Sequence, residues 1–222
     1  MQTPVPTEPT PESPDALLLI GSHCPHCQSV LEALAGLVKE GTLGRLTVVN
    51  LTVSPGAPEA RGVRSVPWTR IGPFELGGAL SAAELKDWAT DAAAGGGWGR
   101  YFGYLIEGGR LESVIELLRS TTTALTDLLH LFADPDTPLS VRIGISAAME
   151  HLAGDTLIRD AIPQILPLTR SERPQIRADA CYFLGLAGDP SVLPSVKRLL
   201  EDENAEVREV AAETSAQLVG PD

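Results

Sequence analysis

Apolar residues change their spacing along this chain, from short continuous runs in its first half to helical stripes in its second. Leu17, Leu18, Leu19 and Ile20 form a run closed by Gly21 and Ser22, the pattern of a buried strand. Pro25 stands where a helix can start, because proline suits the first helical turn. Val30, Leu31, Leu34, Leu37 and Val38 follow at helical spacing, and Gly41 ends that helix. Leu46 to Leu51 reads as a second buried strand, so the order is strand, helix, strand, a βαβ unit. A turn-rich stretch at Ser54, Pro55 and Gly56 leads to a short helical segment around Glu59 and Ala60. Two short strands, Trp68 to Ile71 and Phe74 to Leu76, flank a turn at Gly72 and Pro73. Ser81 and Glu84 form a capping box that opens a helix running to about Ala93.

The glycines at 95–97 mark a boundary, and everything beyond them reads as helix. Ser140-Val141-Arg142, Gln175-Ile176-Arg177 and Glu206-Val207-Arg208 each open an apolar helical stretch, 35 and 31 residues apart. Ile145, Ala180 and Ala211 recur at matching offsets, as do Leu152, Ala187 and Leu218. An Ala-Gly-Asp turn follows twice, ending at Asp155 and Asp189, and each leads into a second helix. A period near this size predicts stacked helical hairpins. Leu111–Leu118 and Leu125–Phe132 read as an earlier, degenerate pair.

Charge narrows the possible partners. The chain of 222 residues carries a formal net charge of −12. Residues 1–96 hold 6 Lys/Arg against 10 Asp/Glu, and residues 97–222 hold 11 against 19, giving −4 and −8. Neither half offers the excess basic charge that phosphate binding requires, so nucleic acid and anionic membrane surfaces are not expected partners. No apolar run approaches the ~20 residues of a membrane helix. Met1 to Asp15, rich in Pro, Thr and Glu, has neither a basic start nor an apolar stretch. It reads as a disordered or extended leader rather than a signal peptide. Three cysteines make a poor disulfide framework, and with no export signal the expected compartment is a reducing cytoplasm.

The chemistry concentrates in Ser22-His23-Cys24-Pro25-His26-Cys27, where a strand hands over to a helix. A thiolate, not a thiol, attacks a disulfide, and the free N–H groups and dipole at a helix N-terminus stabilise it. Cys24 is therefore the expected nucleophile. Cys27, one turn deeper, resolves the mixed disulfide. Pro25 stiffens the turn, and His26 adds positive charge beside Cys24 when protonated. His23 lies beside the motif, exposed or assisting proton transfer. A zinc half-site is the competing reading of Cys24 and Cys27, but no second ligand pair stands at matching spacing; no metal site is expected. Trp68 either lines a peptide groove or fills core. Arg61, Arg64 and Arg70 read as solvated surface or as attraction for a carboxylate ligand. Cys181 sits in an apolar helix as an inert core residue, and neither His130 nor His151 has a cysteine or acid at metal spacing.

With these residues in place, residues 16–93 resemble the thioredoxin superfamily. The Cys24-Pro25-His26-Cys27 tetrad is the active-site motif of DsbA-type disulfide oxidases. The segment from Gly62 to Pro67 resembles the one that ends in the cis-proline of the superfamily. By that resemblance Pro67 faces the cysteines and the Val66 backbone pairs with a peptide or with glutathione. Val66, Pro67, Ile71, Gly72, Leu76, Gly77 and Gly78 match glutaredoxin spacing, with Gly77 and Gly78 letting backbone approach a bound thiol peptide. The strand Leu17–Ile20 lacks the buried acid of thioredoxins, and His23 stands where they carry tryptophan. Roughly Asp134 to Leu218 resembles the HEAT-like repeat family, which implies a surface for protein recognition.

The expected architecture is an α/β thioredoxin-like domain over residues 16–94, a glycine linker at 95–97, and an all-α HEAT-like domain over 98–222. The expected activity is thiol–disulfide exchange on protein or glutathione mixed disulfides, with no bound cofactor and with a protein partner on the repeats. The alternative is an adaptor or redox-sensing protein that uses the first domain as a docking platform.

Overall fold

The computed structural model describes residues 13–121 and 124–219. Most of the leader expected over residues 1–15 therefore lies outside the described residues. The chain forms two compact units that divide between Gly97 and Trp98.

The first unit is built on a four-stranded mixed sheet. Its strands are β1 (Asp15–Ile20), β2 (Arg45–Asn50), β3 (Trp68–Ile71) and β4 (Phe74–Gly77), in the order β2-β1-β3-β4. β1 and β2 are parallel, joined by helix α1 (Cys27–Lys39), while β3 runs antiparallel to both β1 and β4. The continuous apolar run of β1 follows from its central place: Ala16 to Leu19 are all buried. β2 differs from the expected buried strand. It is an edge strand, and Val48 keeps 40% of its surface exposed. None of its residues is buried, and it has a neighbouring strand on one side only.

Strand alternation puts Leu18, Thr69, Ile71, Phe74 and Leu76 on one face of the sheet. Val30, Leu34 and Leu37 form the buried stripe of α1, and helix α2 (Ala82–Ala93) packs against both α1 and β3. The Phe74 and Trp88 rings meet with centroids 5.0 Å apart. The capping box of α2 is complete: the Glu84 N–H donates to Ser81 Oγ at 3.2 Å, and the Ser81 N–H donates to Glu84 Oε2 at 2.8 Å. A single 3-10 turn, Pro58–Ala60, is the only helix-like segment described between β2 and β3.

The second unit is helical throughout its described residues. Three helices open it: α3 (Trp98–Glu107), α4 (Leu111–Ser120) and α5 (Ala124–Ala133). α6 (Leu139–His151) leads to the short helices α7 (Thr156–Asp160) and α8 (Ile162–Leu168). α9 (Pro174–Ala187) leads to a 3-10 turn and α10 (Leu193–Leu199), and α11 (Ala205–Val219) follows. Each Val-Arg or Ile-Arg pair thus opens a helix. Val141, Ile176 and Val207 are buried, and α9 packs against α6, α7, α8, α10 and α11. The two Gly-Asp turns act alike. Asp155 accepts from the Leu157 N–H at 3.1 Å, capping α7, and Asp189 from the Ser191 N–H at 2.9 Å, capping the 3-10 turn before α10.

The recurring arginines fasten these helices to the loops that precede them. Arg142 donates to the Asp134 carbonyl at 2.8 Å, Arg177 to that of Ser171 at 2.8 Å and Arg208 to that of Asp202 at 2.7 Å. Arg177 also reaches into the next repeat, forking onto Asp202 through Nε–Oδ2 at 2.8 Å and Nη2–Oδ1 at 2.7 Å. That hydrogen-bonded guanidinium holds the Asp202 carboxyl below its ordinary value.

Candidate functional site

Cys24 and Cys27 are joined by a disulfide, with Cα atoms 5.4 Å apart. The helix begins at Cys27 rather than at Pro25. The segment from Cys24 to Cys27 is a turn closed by the Cys27 N–H donating to the Cys24 carbonyl at 3.4 Å. His26 is the residue preceding the helix; its carbonyl accepts from Ser29 Oγ at 2.9 Å, and its side chain caps nothing. Cys24 is partly exposed and Cys27 is buried, with His23, Pro25 and His26 exposed around them. The outer sulfur is the reachable one and the inner is shielded.

The second strand of chain at the site is the Val66–Pro67 segment, whose peptide bond is cis. Cys24 Sγ lies 3.7 Å from the Val66 carbonyl oxygen. Pro67 is buried and Val66 half-buried. The Gly78 N–H donates to the Pro67 carbonyl at 3.0 Å, so the fold brings Gly77 and Gly78 beside the proline segment. Gly78 has φ +93°, which a side chain disfavours, and nothing lies within 4 Å of where a Cβ would stand. The backbone there is open to an approaching chain. Trp68 is half-buried and pairs across the sheet with Leu19 and Gly77, on the face opposite that of Thr69 and Ile71. Arg61, Arg64 and Arg70 are exposed, and Arg70 stands opposite Glu75 in the β3–β4 ladder.

Two polar residues that sequence reading did not single out, Asn50 and Thr52, hold the cysteine turn through Ser22. The Ser22 N–H donates to Thr52 Oγ1 at 3.0 Å, Asn50 Nδ2 donates to Ser22 Oγ at 3.1 Å, and the Thr52 N–H donates to Asn50 Oδ1 at 3.0 Å. Gly21 links this clamp to the cysteine, since its carbonyl accepts from the Cys24 N–H at 3.2 Å. A Cβ on Gly21 would meet Val66 Cγ2 at 3.3 Å and Thr52 Oγ1 at 3.6 Å, tighter than ordinary packing against the valine. Only the pairing of β1 with β2 brings Asn50 and Thr52 to this end of the sheet. No local motif announces them.

Outside this constellation, Cys181 is fully buried in α9, and burial pushes its thiol up to about 11. His130 and His151 are exposed. Among the described residues no three His, Cys, Asp or Glu side chains group to hold a metal ion. None of the described helices is long and apolar enough to cross a membrane.

Comparison with known families agrees with this anatomy. Residues 16–90 match a family model described as a thioredoxin domain, and residues 125–217 match one described as HEAT repeats. No curated protein matches the chain.

Proposed function

Because the chain joins a thioredoxin-like domain to HEAT repeats, we propose that it is a thiol–disulfide oxidoreductase acting through Cys24 and Cys27. The observation that carries the reading is the pair itself: a partly exposed Cys24 beside the Val66 carbonyl, bonded to a buried Cys27 at the foot of α1. In the reduced protein the Cys24 thiolate attacks a substrate disulfide. A Cys24–substrate bond forms, the substrate S–S bond breaks, and the departing thiolate takes a proton from water. The Cys27 thiolate then attacks Cys24 sulfur, restoring the intramolecular disulfide and releasing the second substrate thiol. Two electrons pass to the substrate, and an external dithiol returns them to the pair.

His26, when protonated, adds positive charge at the turn and favours the Cys24 thiolate. Val66, Pro67, Trp68, Gly77 and Gly78 form the edge against which a protein or glutathione mixed disulfide is laid, and the repeats recruit a protein partner. A stabilised thiolate makes a relatively oxidising couple, because the reduced form is favoured. Against a cytosolic glutathione poise of about −220 mV or lower, such a pair is held reduced and works as a reductase or isomerase. The intact cysteine pair speaks against a mere docking platform.

The test is turnover of insulin and of a small glutathione mixed disulfide with dithiothreitol as reductant. The chain should accelerate both above reductant alone, and Cys24→Ser should abolish the effect. No acceleration of either substrate would overturn the reading.

A further inference from the structure

α6, α9 and α11, the first helices of the three repeats, follow one another across the second unit and frame a groove of about 400 Å³. One wall is apolar. Leu139 and Ile143 lie four residues apart on α6, on one face, and are 74% and 62% exposed. Val141, Ile145, Ala148 and Met149 on the same helix are all buried. Leu139 and Ile143 are therefore apolar positions beyond those the fold consumes.

The remaining rim is acidic. Glu150, Asp179 and Glu206 line the groove against one guanidinium, that of Arg142, which already donates to the Asp134 carbonyl at 2.8 Å. Glu150 accepts from the Tyr182 hydroxyl at 3.1 Å. Burial, with the neighbouring Glu206 carboxylate second, raises the Asp179 carboxyl above its ordinary value, while Arg142 opposes the rise. The Asp179–Glu206 pair therefore carries negative charge that Arg142 offsets only in part.

We propose that this groove docks a peptide segment of a partner protein that carries a lysine or arginine close in sequence to a large apolar side chain. The basic group sits between Asp179 and Glu206, and the apolar side chain covers Leu139 and Ile143. Charge decides against other occupants: residues 97–222 carry −8, which repels a second copy of the chain and any nucleic acid alike. The assignment rests on reading the repeats as a recognition scaffold, and is independent of the cysteine chemistry.

The experiment selects 12-residue peptides from a random phage-displayed library on the full chain, then measures fluorescence anisotropy with the enriched peptide. The expected consensus places Lys or Arg beside Leu, Ile, Met or Phe. Affinity should fall at least tenfold in Ile143→Ser and in the double variant Asp179→Asn, Glu206→Gln, each checked by circular dichroism to be folded. Binding should also weaken as salt rises. Peptides without basic residues, or affinity unchanged in both variants, would overturn the assignment and leave the scaffold reading standing. Self-association that Ile143→Ser abolishes would replace the partner with a second copy. An empty selection would remove the scaffold reading as well.

Discussion

The sulfur of Cys24 stands 3.7 Å from the carbonyl oxygen of Val66, the residue that precedes Pro67. Forty-two positions separate the two in sequence, and the contact exists because β1 and β3 are antiparallel neighbours that bring both segments to one end of the sheet. In the disulfide the sulfur has no hydrogen to donate. In the reduced protein a thiol hydrogen can point at that carbonyl.

The three thiols should differ sharply in reactivity once the pair is reduced. Cys24 is partly exposed in the turn before α1, whereas burial holds the Cys181 thiol at about 11. Iodoacetamide at neutral pH should label Cys24 first, and Cys181 only after unfolding. Mass spectrometry of digests taken over time checks the order. His26→Ala should raise the Cys24 titration midpoint and make the pair more reducing; an unchanged potential would remove His26 from its tuning role.

The Asn50–Thr52–Ser22 clamp should matter to rate more than to folding. Thr52→Val removes the acceptor for the Ser22 N–H while keeping the side-chain shape. Losing one such bond costs about 0.5–1.5 kcal/mol, or roughly a 2- to 13-fold drop in kcat/KM if it is felt at the reacting geometry. Thr52→Ser should stay near wild type. Equal rates for Thr52→Val and wild type would show that the turn holds its geometry without Thr52.

Arg177 and Asp202 should be a major stability element of the repeats. Both side chains are 9% exposed and share two hydrogen bonds, so Arg177→Ala should destabilise the second unit by about 1.5–3 kcal/mol. The bond from Arg177 depresses the Asp202 carboxyl in the folded state. Its stabilisation is therefore full above the unfolded carboxylate value of about 3.9. It is lost as pH falls through the lower, folded value. Amide exchange of α9 and α11 across pH 6 to 2 should show that loss, and Asp202→Asn should flatten it.

Much of this was legible in the sequence because it is local. The apolar run of β1, the helical stripe of α1, the Ser81–Glu84 box and the Val-Arg openings each lie within one element, where period and capping act directly. The cysteine tetrad was legible for the same reason. What escaped depends on chain segments meeting. Leu46–Val49 is as apolar as a central strand, and only the strand order reveals that β2 is an edge. Asn50 and Thr52 reach Ser22 across 28 and 30 positions. The partnership of Arg177 with Asp202 crosses a repeat boundary, although the recurrence of Asp202 six residues before Arg208, matching Ser171 before Arg177, was a signal that could have been read. Leu139 and Ile143 look like core in a helical stripe, and burial alone sets them apart.

The central claim is that Cys24 forms a covalent bond with a substrate sulfur that Cys27 then displaces. Cys27→Ser removes the displacing thiol and leaves the first step intact. Offered a lysate in reduced form, this variant should accumulate mixed disulfides that dithiothreitol releases. Mass spectrometry should place them on Cys24, and Cys24→Ser with Cys27→Ser should abolish them. A folded Cys27→Ser protein that recovers no adduct at Cys24, while that thiol remains free to react with iodoacetamide, would contradict the account.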